Sequence, residues 1–165
     1  MNFMPTTRSR LAPTPPDEPG AVRGGPLLLL RLEGAVMLLG GLLAYARLGG
    51  GLGELAVLFL APDLTLLGYV LGPRVGAALY NAGHGTLGPA LLAGAGLGVG
   101  APAWTLLAAS VWVAHIGFDR TLGFGLKYAR GFGDTHLGAI GRAARRAPGA
   151  LGARGCAAVT ARGAG

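Results

Sequence analysis

The sequence predicts an all-α membrane protein, a four-helix transmembrane bundle flanked by disordered tails. Three observations carry that prediction. Hydrophobic residues make up 52% of the 165-residue chain and charged ones only 13%, about half the charge that keeps a soluble domain wet. Mean hydropathy is +0.52. Between Leu27 and Ala114 the charged residues are only Arg31, Glu33, Arg47, Glu54, Asp63 and Arg74. A stretch of Leu, Ala, Gly and Val this poor in charge suits lipid better than water.

Residues 1–26 form the first unit, a polar tail with Pro5, Pro13, Pro15, Pro16, Pro19 and Pro26. Such composition cannot bury enough apolar surface to order itself and predicts disorder. The transmembrane domain follows at 27–140. Its first span runs from Leu27 to Leu48, with Arg31 and Glu33 near enough to its start to snorkel to the headgroups. Ala44-Tyr45-Ala46 imitates a signal-peptidase site, but the long leading tail and Glu33 within the apolar run argue against a signal peptide.

The second span is Glu54 to Leu71, bounded by Gly49-Gly50-Gly51 and Gly72-Pro73-Arg74. The third, Val75 to about Gly100, exceeds what a bilayer needs and is expected to tilt or to break near Gly88-Pro89. Ala101-Pro102 makes a turn, and Ala103 to Leu122 is the fourth span. Residues 141–165 are a basic tail rich in Arg, Ala and Gly, expected to be disordered. Glycines at four-residue spacing, Gly72 with Gly76, Gly94 with Gly98 and Gly96 with Gly100, suit close helix contacts within or between chains.

Orientation follows from the cations. Arg8, Arg10 and Arg23 precede span one, Arg74 follows span two, and Arg120, Lys127, Arg130, Arg142, Arg145 and Arg146 follow span four. The opposite side has only Arg47. The positive-inside rule then puts both termini in the cytoplasm of a multi-pass cell-membrane protein, which requires an even number of spans. The bilayer is the expected partner, and the glycine pairs admit a homo-oligomer. No nucleic-acid partner is expected, because the net charge of +7 comes without an aromatic-basic platform. Cys156, the sole cysteine, excludes an internal disulfide and a cysteine metal site.

Polar residues at membrane depth are costly and are functional candidates by default. Asp63 follows Pro62 near the middle of span two, and a proline there frees a carbonyl one turn earlier. Span three carries Tyr80, Asn81 and His84, and span four carries Trp112, His115 and Asp119, each set at spacings of three and four that share a helix face. Asp63, His84 and His115 fall at similar depth on three helices. Three accounts fit. Asp63, His84, His115 and Asp119 could hold a divalent metal, the one cofactor the residues suggest, in a membrane hydrolase. They could line a proton or ion path in a small transporter acting as a dimer. The plainest account is a hydrogen-bonded cluster that pins helices together. Asp134 and His136, beyond span four, are secondary candidates in a polar loop. No HExxH, P-loop or Gly-x-Ser-x-Gly motif is present.

Several segments occur in a recognisable order: Phe59-Leu60-Ala61-Pro62-Asp63, Leu67-Gly68-Tyr69, Tyr80-Asn81-Ala82-Gly83-His84, His115-Ile116-Gly117-Phe118-Asp119-Arg120, Gly123-Phe124-Gly125-Leu126-Lys127-Tyr128 and Gly131-Phe132-Gly133-Asp134-Thr135-His136-Leu137-Gly138. Together they resemble the small bacterial membrane-protein family catalogued as domain of unknown function 4260, over about Leu30 to Gly138. The resemblance implies a multi-span inner-membrane protein and brings no reaction, substrate or cofactor with it.

Overall fold

The structure is a computed structural model in which residues 21–98 and 100–140 are described; the tails 1–20 and 141–165, with Cys156, lie outside the described residues. Helix α1 spans Gly25–Arg47 and has Pro26 in its first turn, where the missing N–H costs nothing. It begins ahead of the expected span, and the chain is already engaged at Val22, whose N–H donates to His136 O at 2.9 Å. Ala44-Tyr45-Ala46 lies inside this helix.

The second span is two kinds of helix in one. Helix α2 covers Leu52–Leu60 and passes directly into a 3-10 helix, Ala61–Leu71, with Pro62 in its first turn. Eleven residues is long for a 3-10 helix, which rarely exceeds three or four. At the two rises this stretch is roughly 35 Å long, against about 30 Å of bilayer hydrocarbon.

The third predicted span is broken. Helix α3 is Pro73–His84 and α4 is Leu87–Gly98, each 12 residues or roughly 18 Å. The break falls at Gly85–Thr86 and not at Gly88-Pro89. Pro89 sits in the first turn of α4, where proline is tolerated, so it marks the start of a helix. Helix α5, Trp104–Leu122, ends on Gly123 at φ +92°, the left-handed conformation that glycine adopts at no cost, and Phe124 N–H returns to Asp119 O at 2.8 Å. The chain then makes a small antiparallel hairpin, β1 Asp134–Thr135 with β2 Gly138–Ala139, bridged back to Lys127 through Thr135. An all-helical expectation did not include this β element.

Helix α5 is the centre of the molecule: α1, α2 and α4 pack on it, while the 3-10 helix packs on α3. The α1–α5 contact is nearly backbone to backbone. A Cβ built at Gly34 would lie 2.8 Å from Arg120 Cβ, and one at Gly41 would lie 2.5 Å from Ser110 O. Gly117 meets α1 from the other side at Gly34 O. Gly68, Gly76 and Gly83 do the same between the 3-10 helix and α3, against Leu79, Tyr69 and Thr65. Gly94 and Gly98 meet nothing within 4 Å, so this pair makes no close contact within the described chain.

Two helical stretches, Gly25–Arg47 and Leu52–Leu71, are long and apolar enough to cross a membrane. The sequence predicted four. Helices α3 and α4 are individually too short, and the apolar run of α5 is diluted by Thr105, Ser110, His115, Asp119 and Arg120. The buried core is small, built on Ala77, Ala109, Val111, Ala114 and Ile116. Large aliphatic side chains face outward instead, among them Val36, Leu39, Leu52, Leu67 and Val70.

Candidate metal centre

Three elements deliver one ionisable side chain each to a single point. Asp63 comes from the first turn of the 3-10 helix, His84 from the last residue of α3, and His115 from the middle of α5. Their approach has local causes. Gly83 lets α3 close on Thr65, whose hydroxyl donates to Pro62 O at 2.6 Å, and this draws Asp63 against His84. Trp112 Nε1 donates to Gly83 O at 2.5 Å, satisfying a carbonyl left open where α3 ends and tying the break to α5.

One ligand atom from each of the three lies within 4.8 Å of the others. His84 Nε2 is 3.5 Å from Asp63 Oδ1, His115 Nε2 is 3.6 Å from the same oxygen, and the two Nε2 atoms are 3.1 Å apart. Asp119 Oδ2 stands 3.5 Å from His84 Nε2. The histidines are buried, whereas Asp63 keeps 42% of its side chain exposed and Asp119 14%.

Hydrogen bonding fixes which atoms face the centre. His84 Nδ1 lies 3.0 Å from Tyr80 O; a carbonyl can only accept, so Nδ1 carries a proton and Nε2 points inward. The Tyr80 hydroxyl donates to Asp119 Oδ2 at 2.8 Å, and the Tyr80 and His84 rings stack 3.8 Å apart. His115 is held edge-on by Phe59 and by His84, while its Nδ1 is buried without a partner among the described residues.

Two carboxylate oxygens thus converge on an imidazole Nε2, an arrangement that a positive charge between them would stabilise. The carboxylate–imidazole separations exceed the 2.7–2.9 Å or so of a charge-assisted hydrogen bond. They agree better with shared coordination: bonds of about 2.0–2.1 Å in tetrahedral geometry place ligand atoms about 3.3 Å apart. Asp63, His84 and His115 are the residues that could hold a divalent ion, and Asp119 stands beside His84 at the edge of that group. The His84 Nδ1–H to carbonyl bond and the Tyr80–Asp119 bond are the outer support that metal ligands ordinarily have.

The remaining sequence candidates separate. Asn81 does not enter the centre: Nδ2 donates to Lys127 O at 2.9 Å and Oδ1 accepts from Lys127 N–H at 2.7 Å. His136 is a fixed part of the hairpin, with Leu126 N–H donating to Nδ1 at 2.8 Å. Burial, reinforced by the charge of Arg120, pushes its pKa down. Asp134 is a residue of β1, and its backbone oxygen accepts from Tyr128 N–H at 2.8 Å. Neither residue joins the cluster.

One residue of the site was overlooked as a candidate. Lys127, read from sequence only as a flanking cation, is 4% exposed and has its Nζ 4.2 Å from the Phe132 ring centre and 4.9 Å from that of Tyr80. Burial pushes its pKa down, with Asp119 opposing. It lines a cleft of about 230 Å³ with Asp63, Tyr80, Asp119, Phe124 and Phe132. Of the cluster, Asp63 and Asp119 line this cleft, while His84 and His115 lie behind them.

Comparison with known proteins adds one result. A family model described as a domain of unknown function, DUF4260, matches residues 27–140. No curated protein and no solved structure matches the chain.

Proposed function

The chain belongs to the DUF4260 family, and from its polar centre we propose that it is a multi-pass membrane metalloprotein whose ion serves a hydrolytic reaction at the head of the cleft. The observation that carries this reading is the spacing of Asp63 Oδ1, His84 Nε2 and His115 Nε2 at 3.1–3.6 Å. A divalent ion in such a site supplies Lewis acidity to a substrate oxygen or to water. The protein supplies the rest: Tyr80 and the α3 terminus hold the ligands in place, and half-exposed Asp63 stands where water or substrate enters.

The outward-facing aliphatic side chains and the two membrane-length helices support placement in the bilayer. On this reading α3 and α4 cross as one broken span, α5 crosses as the fourth, and the cations put both termini in the cytoplasm. Irregular backbone at membrane depth is tolerated where it lines a polar cavity, which accounts for the 3-10 helix at Asp63 and the break after His84.

The test is metal analysis of detergent-purified protein after loading with zinc, manganese or iron(II). The expected result is about one ion per chain in the wild type, lost in His84→Ala and in His115→Ala with helical content retained. A folded wild type that takes up none of these ions would overturn the reading. The break at Gly85–Thr86 beside His84 favours a second reading, ion transport, because half-helices ending at a binding site are a transporter device. Metal-dependent flux into vesicles, abolished by Asp63→Asn, would favour it over hydrolysis.

A further inference from the structure

The cleft contains a feature that metal binding does not require. Lys127 is buried, yet among the described residues its Nζ has no carboxylate within 4 Å and no hydrogen-bond acceptor, only the faces of Phe132, Tyr80 and, at 5.8 Å, Phe124. A buried cation with no anion in contact is costly, and the aromatic faces, with the charge of Asp119 further off in the same cleft, offset only a part of that cost. Nor is its position an accident of a loose loop. Both backbone polar groups of Lys127 are held by the Asn81 side chain, and the residue is bridged to Thr135 of the hairpin. The fold thus fixes an ammonium at the wall of the cleft that opens on Asp63 and Asp119.

Size and surroundings narrow what would meet it. At about 230 Å³ the cleft lies below the range of 300–1,000 Å³ or so that takes a drug-sized molecule. It suits a head group. Two carboxylates in the cleft would repel a bare anion unless an ion at the centre offsets them, so the anion must be one that bridges metal and ammonium. The border is apolar: Leu66, Phe124 and Phe132 line the cleft, and Phe132, half exposed, meets Tyr69 of the 3-10 helix edge-on.

We propose that the cleft binds a phosphate-type oxyanion between Lys127 and the metal centre, with the apolar remainder of the bearer lying along the 3-10 helix. This rests on the metal reading and names the substrate class of the same site: a phosphate ester, of which a lipid headgroup is one source and a soluble ester another. The apolar border suits the lipid source.

The experiment uses the full chain in phosphatidylcholine nanodiscs, loaded with metal, and measures inorganic phosphate binding by equilibrium dialysis. Lys127→Gln is expected to weaken binding at least about tenfold, the size of one charge-assisted contact, and Lys127→Arg to keep it within about threefold. Metal content should be the same in all three proteins, which shows that each variant is folded and separates failure of this proposal from failure of the metal reading. Phosphatidic acid in the nanodisc should displace the phosphate if the source is lipid; phosphate binding that depends on Lys127 but is indifferent to phosphatidic acid supports the proposal with a soluble ester. Wild type that carries metal but binds no phosphate, or a Lys127→Gln variant that binds it as tightly, overturns the proposal.

Discussion

At the scale of single residues, the outer support of the centre can be tested separately from its ligands. Tyr80→Phe removes the hydroxyl that donates to Asp119 Oδ2 but keeps the ring stacked on His84. Its expected effect is a loss of about 10–100-fold in metal affinity, the usual cost of an outer-shell partner, with thermal stability little changed; titration with a metal-sensitive dye in detergent would read it. His136 gives a pH prediction. Its pKa is lowered in the fold from 6.5, so well above that value the ring is neutral in the folded and the unfolded chain alike and its contribution to stability is complete. As pH falls below 6.5 the unfolded chain takes a proton that the folded ring refuses, and the hairpin loses stability. The Leu126 N–H can be donated only to an unprotonated Nδ1. The protection factor of the Leu126 amide, its exchange measured against the intrinsic rate at each pH, should therefore fall below pH 6.5, and a protection factor that does not change would refute the role. Spacing made Tyr80, His84, His115 and Asp119 legible, because residues three and four apart share a helix face. Asn81 and Trp112 satisfied the same spacing and yet turn to Lys127 and Gly83; periodicity names a face and not the atom that a side chain finds there. Lys127 was illegible because a cation just past a span reads as an anchor.

At the scale of elements, close helix packing decides where the polar groups meet. Gly117 and Gly41 allow α1 to lie against α5 with no room for a side chain. Gly117→Leu should lower unfolding stability by about 1–3 kcal/mol or more, as overpacking does, seen as a lower midpoint of thermal unfolding in detergent. Gly94→Ala is the contrasting case: it meets nothing within 4 Å and should be neutral or stabilising by up to about 1 kcal/mol, since alanine is the better helix former. The four-residue glycine spacing that drew notice in the sequence included Gly94 and Gly98, which are open, and passed over Gly34, Gly41 and Gly117, which are not. In a chain with 32 glycines, spacing cannot say which of them faces another helix. For span three the sequence leaves open a tilt or a break near Gly88-Pro89; the chain breaks, but Pro89 begins the next helix and Gly85 ends the one before.

At the scale of the whole molecule, the proposed topology puts both tails on one side. Cys156, as the sole cysteine, permits a direct check in whole cells. An impermeant maleimide should leave it unlabelled until the membrane is permeabilised, and labelling of intact cells would reverse the orientation. Composition alone determined that the chain is helical and rich in apolar surface, and motif order identified its family, because those properties are sums and sequences that need no coordinates. Which residues form the centre was decided only by tertiary structure. Asp63, His84 and His115 are separated by 21 and 31 positions, and nothing local relates their side chains. They meet because Gly83 admits Thr65, because α3 ends at His84 and because Trp112 ties that end to α5. The same long-range packing turned Lys127 from a flanking charge into the wall of a cleft, since a side chain's surroundings depend on elements that arrive from elsewhere in the chain.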